Sequence, residues 1–149
     1  MTKQRNVFQR FTTVCLTLIG LLTVLTSCNN DDEKFYDVTH KVVYKAEGSA
    51  GVNITSVKYN SSPPGVIIKS ATNVSGTTWV SPELGGIERL PVGRVSSSRA
   101  LAIVEATGAN ASSTLKVQIY VDGVLKKEEM ATGQNLKVDL GYDVEYKVN

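Results

Sequence analysis

The segment Leu115-Lys116-Val117-Gln118-Ile119-Tyr120-Val121 carries an apolar side chain at every odd position, and this period of two constrains the fold more than any other feature. Only an extended strand sets alternate residues on one face, so one side of the segment packs on a core while the other meets water. Asp122-Gly123 follows at once. That dipeptide suits a two-residue hairpin turn, whose central positions both need positive φ, and Val124-Leu125-Lys126-Lys127-Glu128-Glu129-Met130 is expected to return antiparallel. Setting Val121 opposite Val124 places Lys116 across from Glu129, Lys126 beside Ile119 and Glu128 beside Val117. A central strand does not tolerate charges on both faces. Residues 124–131 therefore read as a sheet edge, where Lys and Glu discourage pairing with other chains.

The same period recurs through the body of the chain. After the turn signal Thr132-Gly133, Leu136, Val138 and Leu140 alternate as far as Gly141; Tyr142, Val144, Tyr146 and Val148 then share one face opposite Asp143, Glu145 and Lys147. This reads as two further strands. Upstream, Val42-Val43-Tyr44-Lys45-Ala46 is a strand, and the run from Val52 to Tyr59 changes face midway, which a bulge near Thr55-Ser56 would restore. Asn60-Ser61-Ser62-Pro63-Pro64-Gly65 punctuates a turn, after which Val66-Ile67-Ile68 and Thr77-Thr78-Trp79-Val80 read as strands. Leu101-Ala102-Ile103-Val104-Glu105-Ala106 is nearly all apolar and suits a strand covered on both sides. No window of a dozen residues has a helical period. The expectation is an all-β chain, with an immunoglobulin-like antiparallel β-sandwich as a single domain over residues 40–149.

The amino-terminal residues follow other rules. Lys3, Arg5 and Arg10 form a basic head ahead of an apolar run, Phe11 to Thr26, that four threonines interrupt and that is shorter than the ~20 apolar residues of an unaided membrane span. Residues 1–27 read as a secretory leader. Its end, Leu25-Thr26-Ser27-Cys28, resembles the bacterial lipobox, in which the cysteine thiol accepts a diacylglyceryl group and the leader is cut just before it. This resemblance implies a lipid attachment at Cys28, a partnership with the outer membrane through that covalent lipid, and a tether over residues 28–39. Two or more acyl chains hold a protein persistently where one does so marginally, at ~0.8 kcal/mol per buried methylene. The acidic run Asn29-Asn30-Asp31-Asp32-Glu33 is either a plain solvated linker or, as it resembles the surface-export signal of Bacteroidota lipoproteins, a sign that the domain faces outward. Both the periplasmic face and the cell surface stay open.

Charge and cysteine usage narrow the function. The leader removes three of the sixteen basic residues and none of the fourteen acidic ones, leaving a balance of −1, which offers no electrostatic footprint for nucleic acid. Cys15 leaves with the leader and Cys28 is taken by lipid. No intrachain disulfide can then form, and the fold must rest on its apolar core.

Three stretches, "VVYKAEGSAGVNITSVKY", "TTWVSPELGG" and "TLKVQIYVDGVLKKEEMATG", together resemble the mycobacterial membrane protein small (MmpS) family across roughly residues 41–140, most closely at Tyr120-Val121-Asp122-Gly123. The resemblance implies a sandwich behind a membrane anchor and, by analogy, an accessory role beside a lipid or siderophore exporter, hence a protein partner in the cell envelope. The family's anchor is a transmembrane helix and many members carry a cysteine pair, neither of which this sequence reproduces.

Catalytic chemistry has few carriers. His40 is the one histidine, placed at the start of the first strand, where a surface role is the ordinary outcome. With one histidine and no free cysteine there is no metal cluster, and no residue is assigned as catalytic, cofactor-binding or metal-ligating. Trp79 either fills the core or stacks on a ligand. Gly85-Gly86 and Gly93 lack the lysine and hydroxyl residue of a phosphate cradle. The connection Ser81 to Arg99, with Ile87, Leu90, Val92 and Val95 among charges, is either a partner-binding face or an extra strand closing the sandwich. The functional expectation is a non-enzymatic, lipid-anchored envelope protein with a binding or accessory domain. The competing expectation is a surface adhesion or ligand-binding module.

Overall fold

The structure, a computed structural model, describes residues 33–60, 68–71 and 74–148; the leader, Cys28 and the expected strand start at Val66-Ile67 lie outside them. Nine strands follow in order: β1 (Phe35–Gly48), β2 (Asn53–Asn60), β3 (Ile68–Ser70), β4 (Thr78–Val80), β5 (Leu84–Pro91), β6 (Val95–Thr107), β7 (Thr114–Val121), β8 (Val124–Thr132) and β9 (Asn135–Lys147). One antiparallel sheet runs β4-β1-β7-β8, with β5 continuing the β4 side of β1; the other runs β3-β2-β6-β9. The two sheets share one apolar core. The expected all-β sandwich is therefore present.

Alternation builds that core. In β7, Leu115, Val117, Ile119 and Val121 turn inward, and β6 supplies Ala100, Ala102, Val104 and Ala106 against them. Each large side chain so buried contributes roughly 1.5–3 kcal/mol. Small alanines in β6 leave room for Tyr44, Tyr59 and Tyr146 from neighbouring strands.

The β7–β8 turn forms as its sequence dictates, with Asp122 at φ 52° and Gly123 at φ 78°. The register beyond it differs from expectation. Val121 faces Val124 and Tyr120 faces Leu125, but a bulge then slips the ladder by one, so that Ile119 faces Lys127, Val117 faces Glu129 and Lys116 faces Met130. Lys116 instead reaches the other way to Glu47 of β1, 3.1 Å distant. A bulge strengthens local twist. β8 is the edge that its charges require, exposed along nearly its whole length.

Two other boundaries move. β1 starts at Phe35, inside the stretch assigned to the tether, because β5 pairs with it from Phe35↔Pro91 to Val42↔Leu84 and supplies the partner that the short run Phe35 to Thr39 does not announce. Residues 135–147 form one strand where two were expected, since Leu136, Val138, Leu140, Val144 and Tyr146 all point inward with no change of phase. Gly141 does not break it; the guanidinium of Arg99 lies where a side chain would project, 2.6 Å from an ideal Cβ. β6 is central, between β2 and β9, yet Leu101 and Ile103 are only half-buried because only its inner face meets the opposing sheet. The bulge in β2 falls as expected, between Ile54 and Ser56.

Gly108 closes the core at the end of β6. A Cβ there would sit 2.3 Å from the Gly133 carbonyl and 2.6 Å from Ser113 Cβ, and backbone cannot yield as a flexible side chain does. Gly108→Ala should cost about 1–3 kcal/mol of unfolding free energy in a urea titration, whereas Gly85→Ala, where a Cβ meets open space, should change it little.

Candidate functional site

A cleft opens beside the β7–β8 turn. It measures about 390 Å³ and is lined by His40, Val121, Asp122, Lys126 and the run Tyr142 to Glu145. Three elements meet there: the first half of β1, the turn, and the carboxyl-terminal half of β9. The turn brings Asp122 to β1 through main chain, its amide donating to the Lys41 carbonyl at 2.8 Å. Its side chain accepts the Lys41 amide on Oδ1 at 2.8 Å and meets His40 Nδ1 with Oδ2 at 2.6 Å.

His40 then joins the two sheets. Its Nε2 lies 3.0 Å from the Glu145 carbonyl on β9, and its ring stands edge-on to Tyr146, 4.8 Å between centroids. Both ring nitrogens face acceptors, so both contacts are donated only when the imidazole carries two protons. The sequence places His40 and Asp122 far apart, and only the fold shows them as partners; the turn signal located Asp122 without revealing what its carboxylate holds.

Burial on its own would raise the Asp122 pKa, but the Lys41 amide, the His40 ring and the Lys126 charge outweigh it and hold the carboxyl below the ordinary range. A group depressed on folding stabilises the fold above its unfolded pKa, and that contribution is lost as pH falls through the lower, folded value. The carboxylate is about half exposed, so solvent limits the effect to about 1 kcal/mol. Asp122→Asn, which keeps the left-handed turn conformation accessible, should thus lower stability by roughly that amount at pH 7. Urea titrations of the two proteins should converge in acid, once the Asp122 carboxyl is protonated in the folded state.

The cleft arranges polar groups without a Ser-His or Cys-His pair. No serine, threonine or cysteine lines it, and His40 Nε2, the nitrogen that would have to face one, is taken by a main-chain carbonyl. What the lining presents is mixed charge, with Lys126 near Asp122, Asp143 and Glu145.

A second polar cluster lies within the sandwich. Tyr44 Oη donates to Asn60 Oδ1, which also accepts the Leu101 amide at 3.0 Å, while Asn60 Nδ2 donates to the Arg99 carbonyl. Burial pushes the Tyr44 hydroxyl pKa well up, so it stays a donor. Asn60, which in sequence looks like the opening of a turn, is buried and ties β1 to β2 and β6. The Tyr146 hydroxyl is buried without a hydrogen-bond partner; Ser98 lies near it but outside bonding geometry, and burial raises the pKa of that hydroxyl too.

The other sequence candidates are dispersed. Cys28 lies outside the described residues. Ser81 to Arg99 becomes β5, a turn at Val92-Gly93, and the start of β6, so the extra-strand reading describes its structure, with Leu84 and Leu90 buried and Ile87, Val92 and Val95 exposed. Trp79 is half-buried on β4, its ring 5.2 Å from that of Tyr59 on β2 of the opposite sheet, so it packs against the core at its border. Gly93 has φ 78° and makes the turn. Among the described residues no three His, Cys, Asp or Glu side chains converge as a metal ion needs.

Fold and cleft define the chain as a β-sandwich protein whose most elaborate polar site is a clasp between sheets. No model of a known protein family matches the sequence, and no curated protein is significantly similar to it.

Proposed function

We propose that the chain is a cell-envelope lipoprotein, anchored to the outer membrane by lipid on Cys28, whose sandwich is a non-catalytic binding or accessory domain for a membrane transport assembly. The observation that carries the anchor is the order of the leader: basic head, interrupted apolar run, then Leu25-Thr26-Ser27-Cys28 followed by a polar spacer. The resemblance to the MmpS family supports the accessory role. The mixed charge of the cleft, with Lys126 near Asp122, Asp143 and Glu145, and the engagement of both His40 ring nitrogens by acceptors support a binding role.

Labelling cells with radioactive palmitate tests the anchor. Label should enter the wild-type chain and be absent from Cys28→Ser; equal labelling of both would overturn it. Photo-crosslinking in living cells tests the role. Capture of a transport component supports it, and capture of polysaccharide or host material alone replaces it with a surface-binding module.

A further inference from the structure

We infer that the end of the sandwich at which β1 begins lies against the bilayer surface, so that the domain stands end-on to the membrane, a reading that rests on the lipid anchor at Cys28. The two ends of the sandwich differ in kind. At one end the turns are Ser49-Ala50-Gly51, Gly108 to Ser113 and Gly133-Gln134, with no apolar side chain larger than alanine. At the other end the start of β1, the β5–β6 turn and the last residues of β9 come together. Phe35 faces Pro91 in one sheet and Val95 faces Lys147 in the other, and the Arg94 amide donates to the Pro91 carbonyl at 3.2 Å to close the turn between them. Phe35, Tyr36 and Val95 are each about half exposed there, and Val92 at the turn tip is 62% exposed. Successive strand residues point to opposite faces, so Phe35 and Tyr36 carry apolar surface round the rim instead of along one sheet face. The turn extends it to the second sheet. Other exposed apolar residues, Ile68, Val80 and Met130, are spread over the edge strands β3, β4 and β8, as single surface residues ordinarily are.

The length of the tether names what covers this end. Six residues, Asn29 to Lys34, separate Cys28 from Phe35, and a chain spans at most ~3.6 Å per residue, so the lipidated sulfur stays within about 25 Å of the patch. Gly48, at the far end of the fourteen-residue β1, lies roughly 40 Å farther along the strand. Confinement so close to lipid keeps its local concentration high, and a contact too weak to recruit a free protein then suffices. Aromatic rings and small aliphatic side chains suit the headgroup boundary, where Tyr36 keeps its hydroxyl in water. Lys34, Arg94 and Lys147 flank the patch, with stems that lie along apolar surface and charges that reach lipid phosphates. Glu33, Asp37 and Glu145 oppose that attraction. Apolar burial, not charge, therefore holds the contact.

Thiol protection tests this end-on contact. Cys15 leaves with the leader and Cys28 is taken by lipid, so one introduced cysteine is the free thiol of the mature chain. The full chain, expressed with its leader and purified from membranes, is added to preformed vesicles of phosphatidylethanolamine and phosphatidylglycerol as Val92→Cys or as Val124→Cys, the second a valine of similar exposure, 55%, on β8. With each rate taken relative to the same thiol in the unfolded chain, a membrane-impermeant maleimide should modify Val92→Cys about tenfold more slowly than Val124→Cys, the factor that ~1.4 kcal/mol of contact supplies. Adding Phe35→Ser and Tyr36→Ser to the Val92→Cys chain should bring the two rates together. Equal rates at Val92→Cys and Val124→Cys on a chain that floats with the vesicles would overturn the end-on contact and leave the anchor standing, and so would a Val92→Cys rate that stays slow after both serine substitutions. A chain without lipid on Cys28 that stays in solution would overturn both.

Discussion

Replacing Asn60 by leucine should lower the unfolding free energy by about 2–4 kcal/mol, because the change strands several buried groups at once. Asn60 is 8% exposed, and its amide accepts from the Tyr44 hydroxyl and the Leu101 amide while donating to the Arg99 carbonyl. Leucine fills a similar volume but satisfies none of them, and a buried polar group without a partner carries its full desolvation cost. Tyr44→Phe removes one donor only, leaving Asn60 Oδ1 its bond from Leu101, and should cost about 1 kcal/mol. Urea titrations with an unchanged slope would show that stability, not compactness of the unfolded state, has moved. An Asn60→Leu protein as stable as the wild type would mean that this network does not hold β1 to the opposite sheet.

The second large effect belongs to the hairpin β7–β8, where burial differs most sharply between neighbours. Leu115 is fully buried, whereas Met130, across the hairpin on β8, is 62% exposed. Leu115→Ala leaves a cavity between two sheets that cannot both relax into it, so about 2–5 kcal/mol should be lost. Met130→Ala removes a side chain that water already surrounds and should stay within about 0.5 kcal/mol of wild type. Comparable losses at both positions would contradict an edge placement for β8.

Much of this architecture is legible in the residues because period-two alternation specifies both strand and face. Leu115 to Val121, the Asp122-Gly123 turn and the bulge near Thr55 all follow from local chemistry. The slip in β8 does not. Lys126-Lys127 and Glu128-Glu129 are doublets, so the slip leaves Ile119 opposite a lysine and Val117 opposite a glutamate as before, and only the exchanges at Lys116 and Gln118 distinguish the two registers. The continuity of β9 is hidden by Gly141, a residue that ordinarily marks a break, although the inward positions keep one parity across it. β5 is hidden by Gly85, Gly86 and Pro91, which read as a loop until β1 supplies its ladder.

The candidate site was less legible still. His40 and Asp122 meet only because β1 and the β7–β8 turn are neighbours in one sheet, and the third contact, to the Glu145 carbonyl, involves no side chain of Glu145 at all. Nothing local to any of the three predicts the clasp. Asn60 is similar: its surroundings Ser61-Ser62-Pro63-Pro64 speak for a turn, and its buried bonds depend on where β6 passes.

Intact-mass analysis of the protein extracted from the membranes of cells that export it tests the functional account most directly. A chain that begins at Cys28 and carries the added mass of diacylglyceryl on that residue is the predicted result. An uncut precursor with Cys28 unmodified, or a mature chain cut elsewhere and free of lipid, would contradict it.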